Sequence, residues 1–332
     1  MKLMLLLTLC CLWLNTAQAE KINLVWQHGQ DASVDMSVLP PVTGVNVVSP
    51  CWYDIDNQYG HLRNKSVPNY VAAAQAKGYK VWPLITSSFN PEMFHQVLLD
   101  HHARRYVIEQ LIEQSKKHQF DGINLDFENI RDEDKDNLTY FVKEISKACR
   151  KHGLTLSMDV TVPSGEPYWS NCFDRKALSE QVDYLMLMTY DQYTPSMHRS
   201  GPTAALDWVE AKLQRTLKEV PATKLVLGLP LYMRLWTQDS VTGKTTGKTL
   251  SMPQAQQLIA AQKLAPTYLK KEALNFYCYR EGTILKSFWL EDQASIAAKV
   301  NLVNQYNLAG VASWRKGFET SDIWPVIAAA ME

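Results

Sequence analysis

The 332-residue chain has no surplus of either charge: 34 basic side chains stand against 34 acidic ones. Without a basic excess there is no electrostatic case for a nucleic-acid partner or an anionic membrane surface. After residue 14, no stretch reaches the roughly 18 continuous apolar residues of a bilayer-spanning helix. No glycine-rich phosphate loop or dinucleotide fingerprint occurs in a suitable context, so no cofactor is expected. Cysteine is scarce, and the wide, irregular spacing of Cys51, Cys149, Cys172 and Cys278 has no zinc pattern, so no metal is expected either. A domain of this size does not need disulfides, and these four read as buried free thiols. His101, His102 and His118 lie on helical stretches and read as solvated. No Pro-rich or Gly/Ser-rich linker and no charge run divides the chain. One compact domain, acting as a monomer, is the expectation.

The N-terminus carries a targeting pattern. Lys2 is followed by an apolar run over residues 3–14 and by Ala17-Gln18-Ala19, a small-residue cleavage site. Residues 1–19 therefore read as a signal peptide that takes Cys10 and Cys11 with it. The mature chain is expected to run over 20–332, secreted or periplasmic, with no membrane contact once the leader is removed.

Beyond the leader, short apolar segments alternate with helical periodicity. Strands are predicted at 44–49, 80–85, 122–127, 155–162, 184–189, 224–230, 285–290 and 310–314. Helices are predicted at 69–77, 104–118, 136–152, 204–219 and 293–306. Eight such alternations point to an α/β fold of the (β/α)8 TIM-barrel type rather than an open sheet. The connection over residues 235–286, between predicted strands 6 and 7, is too long for a simple crossover. It holds a helix signal at 251–264 and a hairpin signal at Glu281-Gly282, so it reads as a small α+β insertion on the barrel rim.

The chemistry concentrates in residues 120–129. Side chains alternate along a strand, so Ile123, Leu125 and Phe127 share one face, and Gly122, Asn124, Asp126 and Glu128 the other. In a barrel the second face is the interior, and active sites sit at the strands' C-terminal ends. Carboxylates there need a partner or a raised pKa. Two acids at i and i+2 repel one another, so a protonated Glu128 beside an ionised Asp126 is a natural general acid. Tyr190 and Met188 share a face of predicted strand 184–189. Trp314 shares a face with Gly310 and Ala312, which leave room beneath a ring. Ser157, Asp159 and Thr161 form another inward polar face, suited to a network under Asn124 and Asp126.

Asp121-Gly122-Ile123-Asn124-Leu125-Asp126-Phe127-Glu128 resembles the D-G-x-D-x-D-x-E signature of glycoside hydrolase family 18. Met188-Thr189-Tyr190-Asp191 resembles the family's M-x-Y-D. Gly310-Val311-Ala312-Ser313-Trp314 and Gly228-Leu229-Pro230-Leu231-Tyr232 resemble two further strands of it. Ser49-Pro50-Cys51-Trp52 is similar to a motif of the bacterial branch that includes spore-cortex-lysing N-acetylglucosaminidases. The chain departs from the signature at Asn124, where Asp is usual. Asn cannot take up a proton but retains the capacity to hydrogen-bond Asp126.

The resemblance implies a glycosidase that cleaves β-linked N-acetylhexosamine glycans, of peptidoglycan or chitin type, with retention by substrate assistance. It implies that Glu128 protonates the leaving oxygen and that Asp126 orients the substrate's acetamido group. Tyr190 would bond that group's carbonyl, and Asp191 would hold the distorted sugar. Asn124, Met188 and Trp314 would complete the substrate site. Trp52 and Tyr232, at strand ends, either line sugar subsites or pack in the core and rim. The partner is then a polysaccharide or oligosaccharide containing N-acetylglucosamine. A catalytically silent chitinase-like binder on the same fold is the alternative; such proteins commonly lack the acid that Glu128 supplies here.

Overall fold

The computed structural model describes residues 20–28 and 41–331; the predicted signal peptide lies outside them. A closed parallel barrel forms the body. Its strands are β1 (Ile22–Gln27), β2 (Val47–Ile55), β3 (Leu84–Thr86), β4 (Gly122–Asp126), β5 (Thr155–Thr161), β6 (Tyr184–Met188) and β7 (Leu225–Pro230), closed by Gly310–Trp314. Each strand pairs with the next, and Gly310–Trp314 lies between β7 and β1. Pairing of β1 with β2, Leu24 opposite Val47, completes the ring.

Alternation along the strands makes two apolar layers. Leu24, Trp26, Trp82, Met186 and Val226 fill the barrel's interior. Leu125, Phe127, Leu185 and Leu187 face the surrounding helices. Helix Lys135–Lys151 buries Leu138, Phe141, Val142, Ile145 and Cys149, a 3.6-residue stripe laid against β4 and β5. Phe127 stacks on Phe141 with centroids 6.0 Å apart and meets Phe94 of helix Pro91–Leu99 at 4.9 Å. This aromatic cluster anchors the backbone immediately before Glu128.

One strand expectation needs correction, and one barrel strand was not expected. Residues 285–290 are not a barrel strand. They belong to a second, antiparallel sheet in the insertion, where Ile284–Leu290 pairs with Tyr232–Asp239 and Leu274–Glu281. The eighth barrel position is taken by β1, whose Asn23 and Gln27 interrupt its apolar pattern. Apolar periodicity reports a half-buried strand but not which sheet it joins. The insertion does follow Leu225–Pro230, as expected. It comprises Tyr232–Asp239 (β8), Thr245–Ser251 (β9), a helix Met252–Gln262 started by a Ser251–Gln254 capping box, Thr267–Leu269 (β10), Leu274–Glu281 (β11) and Ile284–Leu290 (β12). Gly310–Trp314 is accordingly β13. The hairpin at Gly282 is a two-residue turn, with Glu281 opposite Ile284 and Gly282 at φ +58°. All four cysteines of 20–332 are free; Cys51, Cys149 and Cys172 are buried as expected, but Cys278 is exposed on the antiparallel sheet.

Candidate active site

The polar face of β4 points into the barrel. Asn124 is fully buried, and Asp126 is 7% exposed. The Asn124 side chain makes four hydrogen bonds. Its oxygen accepts from Trp26 Nε1 at 2.8 Å and from Ser49 Oγ at 3.2 Å. Its nitrogen donates to Ser157 Oγ at 3.1 Å and to Asp159 Oδ1 at 2.8 Å. That exhausts an amide's capacity. The expected bond from Asn124 to Asp126 is therefore absent, and Asp126 Oδ1 is buried with no hydrogen-bond partner.

Burial pushes the Asp126 carboxyl up to about 7, while a hydrogen bond shared with Glu128 works in the opposite direction. Glu128 lies just beyond the strand end. Burial first, then the charges of Asp126 and Asp191, raise its carboxyl well above the ordinary carboxylate range. Repulsion between near neighbours in a dry site holds a proton on the pair near neutral pH. A proton available there, at a barrel's C-terminal rim, is what protonation of a leaving group requires.

Strand β6 supplies the opposite wall. Met188 is buried, and Tyr190 follows on the same face with its ring edge-on to Tyr232, centroids 6.4 Å apart. Burial, then the charge of Asp159, drives the Tyr190 hydroxyl well above its usual range, so it stays a neutral hydrogen-bonding group. Asp191 has φ +55°, a left-handed backbone uncommon outside glycine. Its Oδ1 accepts from Tyr232 Oη at 2.7 Å and from Arg234 Nη2 at 2.7 Å. Ser88, Phe89, Asn129 and Tyr168, in the loops after β3, β4 and β5, share the left-handed conformation. Strained backbone of this kind persists where surrounding structure enforces it.

Trp314 ends β13 half-buried, tilted against Trp26 at 5.9 Å and edge-on to His28 at 6.4 Å. A cavity of about 290 Å³ opens beside it, bounded by Asp191, Tyr232, Arg234, Arg315 and Phe318. Tyr232 therefore lines the cavity. Trp52 does not: it is 1% exposed, on the outer face of β2, packed on Tyr70 at 4.9 Å and on Phe120. The register irregularity between Cys51 and Tyr53 accompanies this placement. Residue-by-residue reading missed Arg234 and Arg315 at the cavity. Arg234 comes from the insertion, and no local pattern marked it.

A closed barrel with two neighbouring buried carboxyls at its C-terminal rim, a tyrosine opposite and a tryptophan beside the cleft has the composition of a glycosidase-type site. The family model for glycosyl hydrolases family 18 matches residues 43–318, and the chain belongs to that family and is a glycosidase. Among curated relatives, an uncharacterized glycosylase, YvbX, of Bacillus subtilis is 25% identical, covering 94% of this chain and 92% of that protein. The cortical fragment-lytic enzyme of the same organism is 27% identical, over 74% of this chain and 58% of its own length. Among solved structures, a chitinase from Chromobacterium violaceum superposes with TM-score 0.82 at 23% identity, covering 94% of this chain and 99% of that one. A class V enzyme from Pseudomonas fluorescens gives TM-score 0.80 at 25% identity, over 94% and 100%.

Proposed function

We propose that this protein is an exported hydrolase of β-linked N-acetylhexosamine glycans, of peptidoglycan or chitin type, that retains configuration by substrate assistance. The observation that carries the reading is Asp126 Oδ1, a buried acceptor with no partner, beside Glu128, whose carboxyl burial pushes well above the ordinary carboxylate range. An unpaired buried oxygen costs roughly 1–3 kcal/mol. A substrate N–H at that point relieves the cost, and the 2-acetamido group of an N-acetylhexosamine carries one beside the anomeric carbon. Held there, the acetamido oxygen attacks that carbon while Glu128 protonates the departing oxygen. Glu128 then deprotonates the incoming water. Tyr190 donates to the acetamido oxygen, and Trp314 offers a ring face to the sugar. Asp126 shares a strand end with Glu128 and Asp191 is held by Tyr232 and Arg234, so neither is disposed as a covalent nucleophile. The cortical fragment-lytic and chitinase names of the relatives agree with this glycan class. The predicted leader supports export, to the periplasm or beyond.

Three substrate sets test the reading: purified peptidoglycan, chitin oligomers and aryl N-acetylglucosaminides, with products identified by mass spectrometry. A cyclic thiazoline analogue should inhibit competitively, because it resembles the intermediate. Sugars with a 2-hydroxyl in place of the acetamido group should be inert. A 2-fluoro sugar trapped as an ester on Asp126 or Asp191 would overturn substrate assistance.

A further inference from the structure

A second cavity, of about 270 Å³, opens beside the loop that follows β5 and shares no residue with the cavity at Trp314. The loop is folded on itself. Gly165 turns it at φ +84°, the Ser164 amide donates to Ser170 Oγ at 2.9 Å, and Asn171 Nδ2 donates to the Gly165 carbonyl at 3.0 Å. Arg175, at the start of helix Arg175–Gln181, is drawn in against this loop and is only 5% exposed. Its Nε and Nη2 donate to the Thr161 carbonyl at 3.0 and 2.8 Å. Nη2 also reaches Ser170 Oγ at 3.1 Å and the Ser170 carbonyl at 3.3 Å. All of these acceptors are neutral, whereas a buried cation ordinarily has a carboxylate partner. Nη1 has no hydrogen bond among the described residues, yet it is not one of the fully enclosed unpaired atoms, so it opens to the cavity that Arg175 lines. Burial lowers the guanidinium to about 10, and the charge of Glu219 offsets part of that. Arg175 therefore remains a cation at neutral pH.

Two further cations line the cavity: Lys135, which opens helix Lys135–Lys151, and Arg215, near the end of helix Leu206–Thr216. Against these three stand two carboxylates, Asp174 and Glu219, so the lining is net positive. Asp174 Oδ1 is already engaged by the Ala177 amide at 2.9 Å, and Glu219 is exposed. We propose that this cavity binds a single oxyanion, a carboxylate or a phosphate, received by the open Nη1 edge of Arg175 and flanked by Lys135 and Arg215. Charge-assisted hydrogen bonds from a guanidinium to an oxyanion are among the strong ones, and the anion supplies the counter-charge that the fold leaves out. The inference goes beyond the glycosidase reading and does not depend on it. It bears on the choice of glycan all the same. The loop also accepts the Ile130 amide at the Tyr168 carbonyl, 2.9 Å, which ties it to the segment just after Glu128 and puts the cavity at the same end of the barrel. Chitin is neutral, whereas peptidoglycan carries carboxylates on its lactyl and peptide arms.

The test follows the backbone amide resonances of Gly165 and Asn171 in the whole protein while an anion replaces chloride at constant ionic strength. The probes are inorganic phosphate, acetate and N-acetylmuramic acid, with N-acetylglucosamine as the neutral control. Both amides should shift along one saturating curve with phosphate or with the carboxylates, and should not respond to the neutral sugar. Arg215→Gln and Lys135→Gln should each weaken binding by roughly threefold or more, and Glu219→Gln should tighten it by about twofold, as expected for charges at a partly exposed site. All three substitutions fall on exposed or half-buried side chains, and melting curves check that the fold is kept. The gain expected for Glu219→Gln is a sign that loss of structure does not produce. Saturation by phosphate alone identifies a phosphate ligand. Saturation by acetate, and more tightly by N-acetylmuramic acid, identifies a carboxylate of the wall glycan. Shifts that grow without saturating, equal binding of the neutral sugar, or constants that all three substitutions leave unchanged overturn the proposal. The titrations need no turnover, so a protein that does not cleave N-acetylhexosamine glycans but binds the anion as stated refutes the proposed function and leaves this site standing.

Discussion

In the proposed reaction Glu128 and Asp126 divide one task between two oxygen-bearing groups, and their burial sets the division. Replacing Glu128 with Gln keeps volume and hydrogen bonding but removes the proton. A loss of roughly 10²–10⁴ in kcat is expected on an N-acetylglucosamine oligomer, less on an aryl glycoside whose leaving group needs less protonation. Steady-state rates beside an unchanged melting curve check it. Asp126 carries a stability cost with a definite sign. Its folded carboxyl titrates at about 7, against an ordinary 3.8, so the folded protein binds the proton more tightly than the unfolded chain. That contribution favours folding fully below the unfolded value and is lost as pH rises through the folded one. Asp126→Asn should therefore melt higher than wild type at pH 8, by an amount on the order of a few kcal/mol, with the gap shrinking toward pH 4. Melting curves across that range check it; a gap that grows on acidification has the wrong sign. Much of this chemistry was legible in the sequence, because strand alternation alone puts Asn124, Asp126 and Glu128 on one interior face. The orphaned Oδ1 was not legible. It depends on where Asn124's amide points, which Trp26, Ser49, Ser157 and Asp159 decide from three other strands.

Elements bring these residues into register, and their demands fall on positions with no chemistry. Gly228 on β7 lies under Tyr190. A Cβ there would stand 2.6 Å from the Leu187 carbonyl oxygen and 3.1 Å from Tyr190 Cε1. Gly228→Ala should cost about 1–3 kcal/mol in stability, the range for overpacking, and displace the tyrosine. Chemical denaturation and thiazoline affinity should both register it; wild-type values in both would show that β6 and β7 yield easily. Arg234 makes the corresponding point for the insertion. Strand β8 carries it back over the rim to Asp191, 43 residues earlier in the chain. Arg234→Met keeps the aliphatic stem and removes the donors, leaving Asp191 with Tyr232 alone. A loss of roughly tenfold or more in kcat/KM is expected, in line with charged hydrogen bonds worth about 1.5–3 kcal/mol. Arg234→Lys should not fully restore it, because one ammonium does not reproduce the guanidinium's spread of donors. The insertion's existence and its hairpin could be read from turn chemistry and length. Its contribution to the site could not, since nothing local to Arg234 records a partner so far back. The same limit explains the exchange of 285–290 for β1: both look like half-buried strands, and only pairing distinguishes a parallel neighbour from an antiparallel one.

At the scale of the whole molecule, closure rests on the first strand after the predicted leader. β1 pairs with Gly310–Trp314 on one side and with β2 on the other, so removing it opens the barrel and leaves two unpaired parallel edges. It would also remove Trp26, which is wholly buried, holds Asn124 and packs on Trp314. The proposed cleavage before Glu20 leaves two residues ahead of Ile22, enough to spare the strand. Cleavage a few residues further on would cut into it. The expectation is therefore sharp at both ends of a short interval. Protein recovered from the native host's exported fraction should begin at Glu20, and the same chain made directly from Glu20 should melt cooperatively and bind the thiazoline. A chain made from residue 29 should do neither, because it lacks both the closing pairings and the indole that fixes the interior polar network. N-terminal sequencing decides the first point: an exported chain that retains Met1 refutes the leader. Circular dichroism melting with thiazoline titration decides the second. A cooperative, ligand-binding protein lacking 22–27 would mean that closure by β1 is dispensable, and that Asn124 is held well enough by Ser49, Ser157 and Asp159 alone.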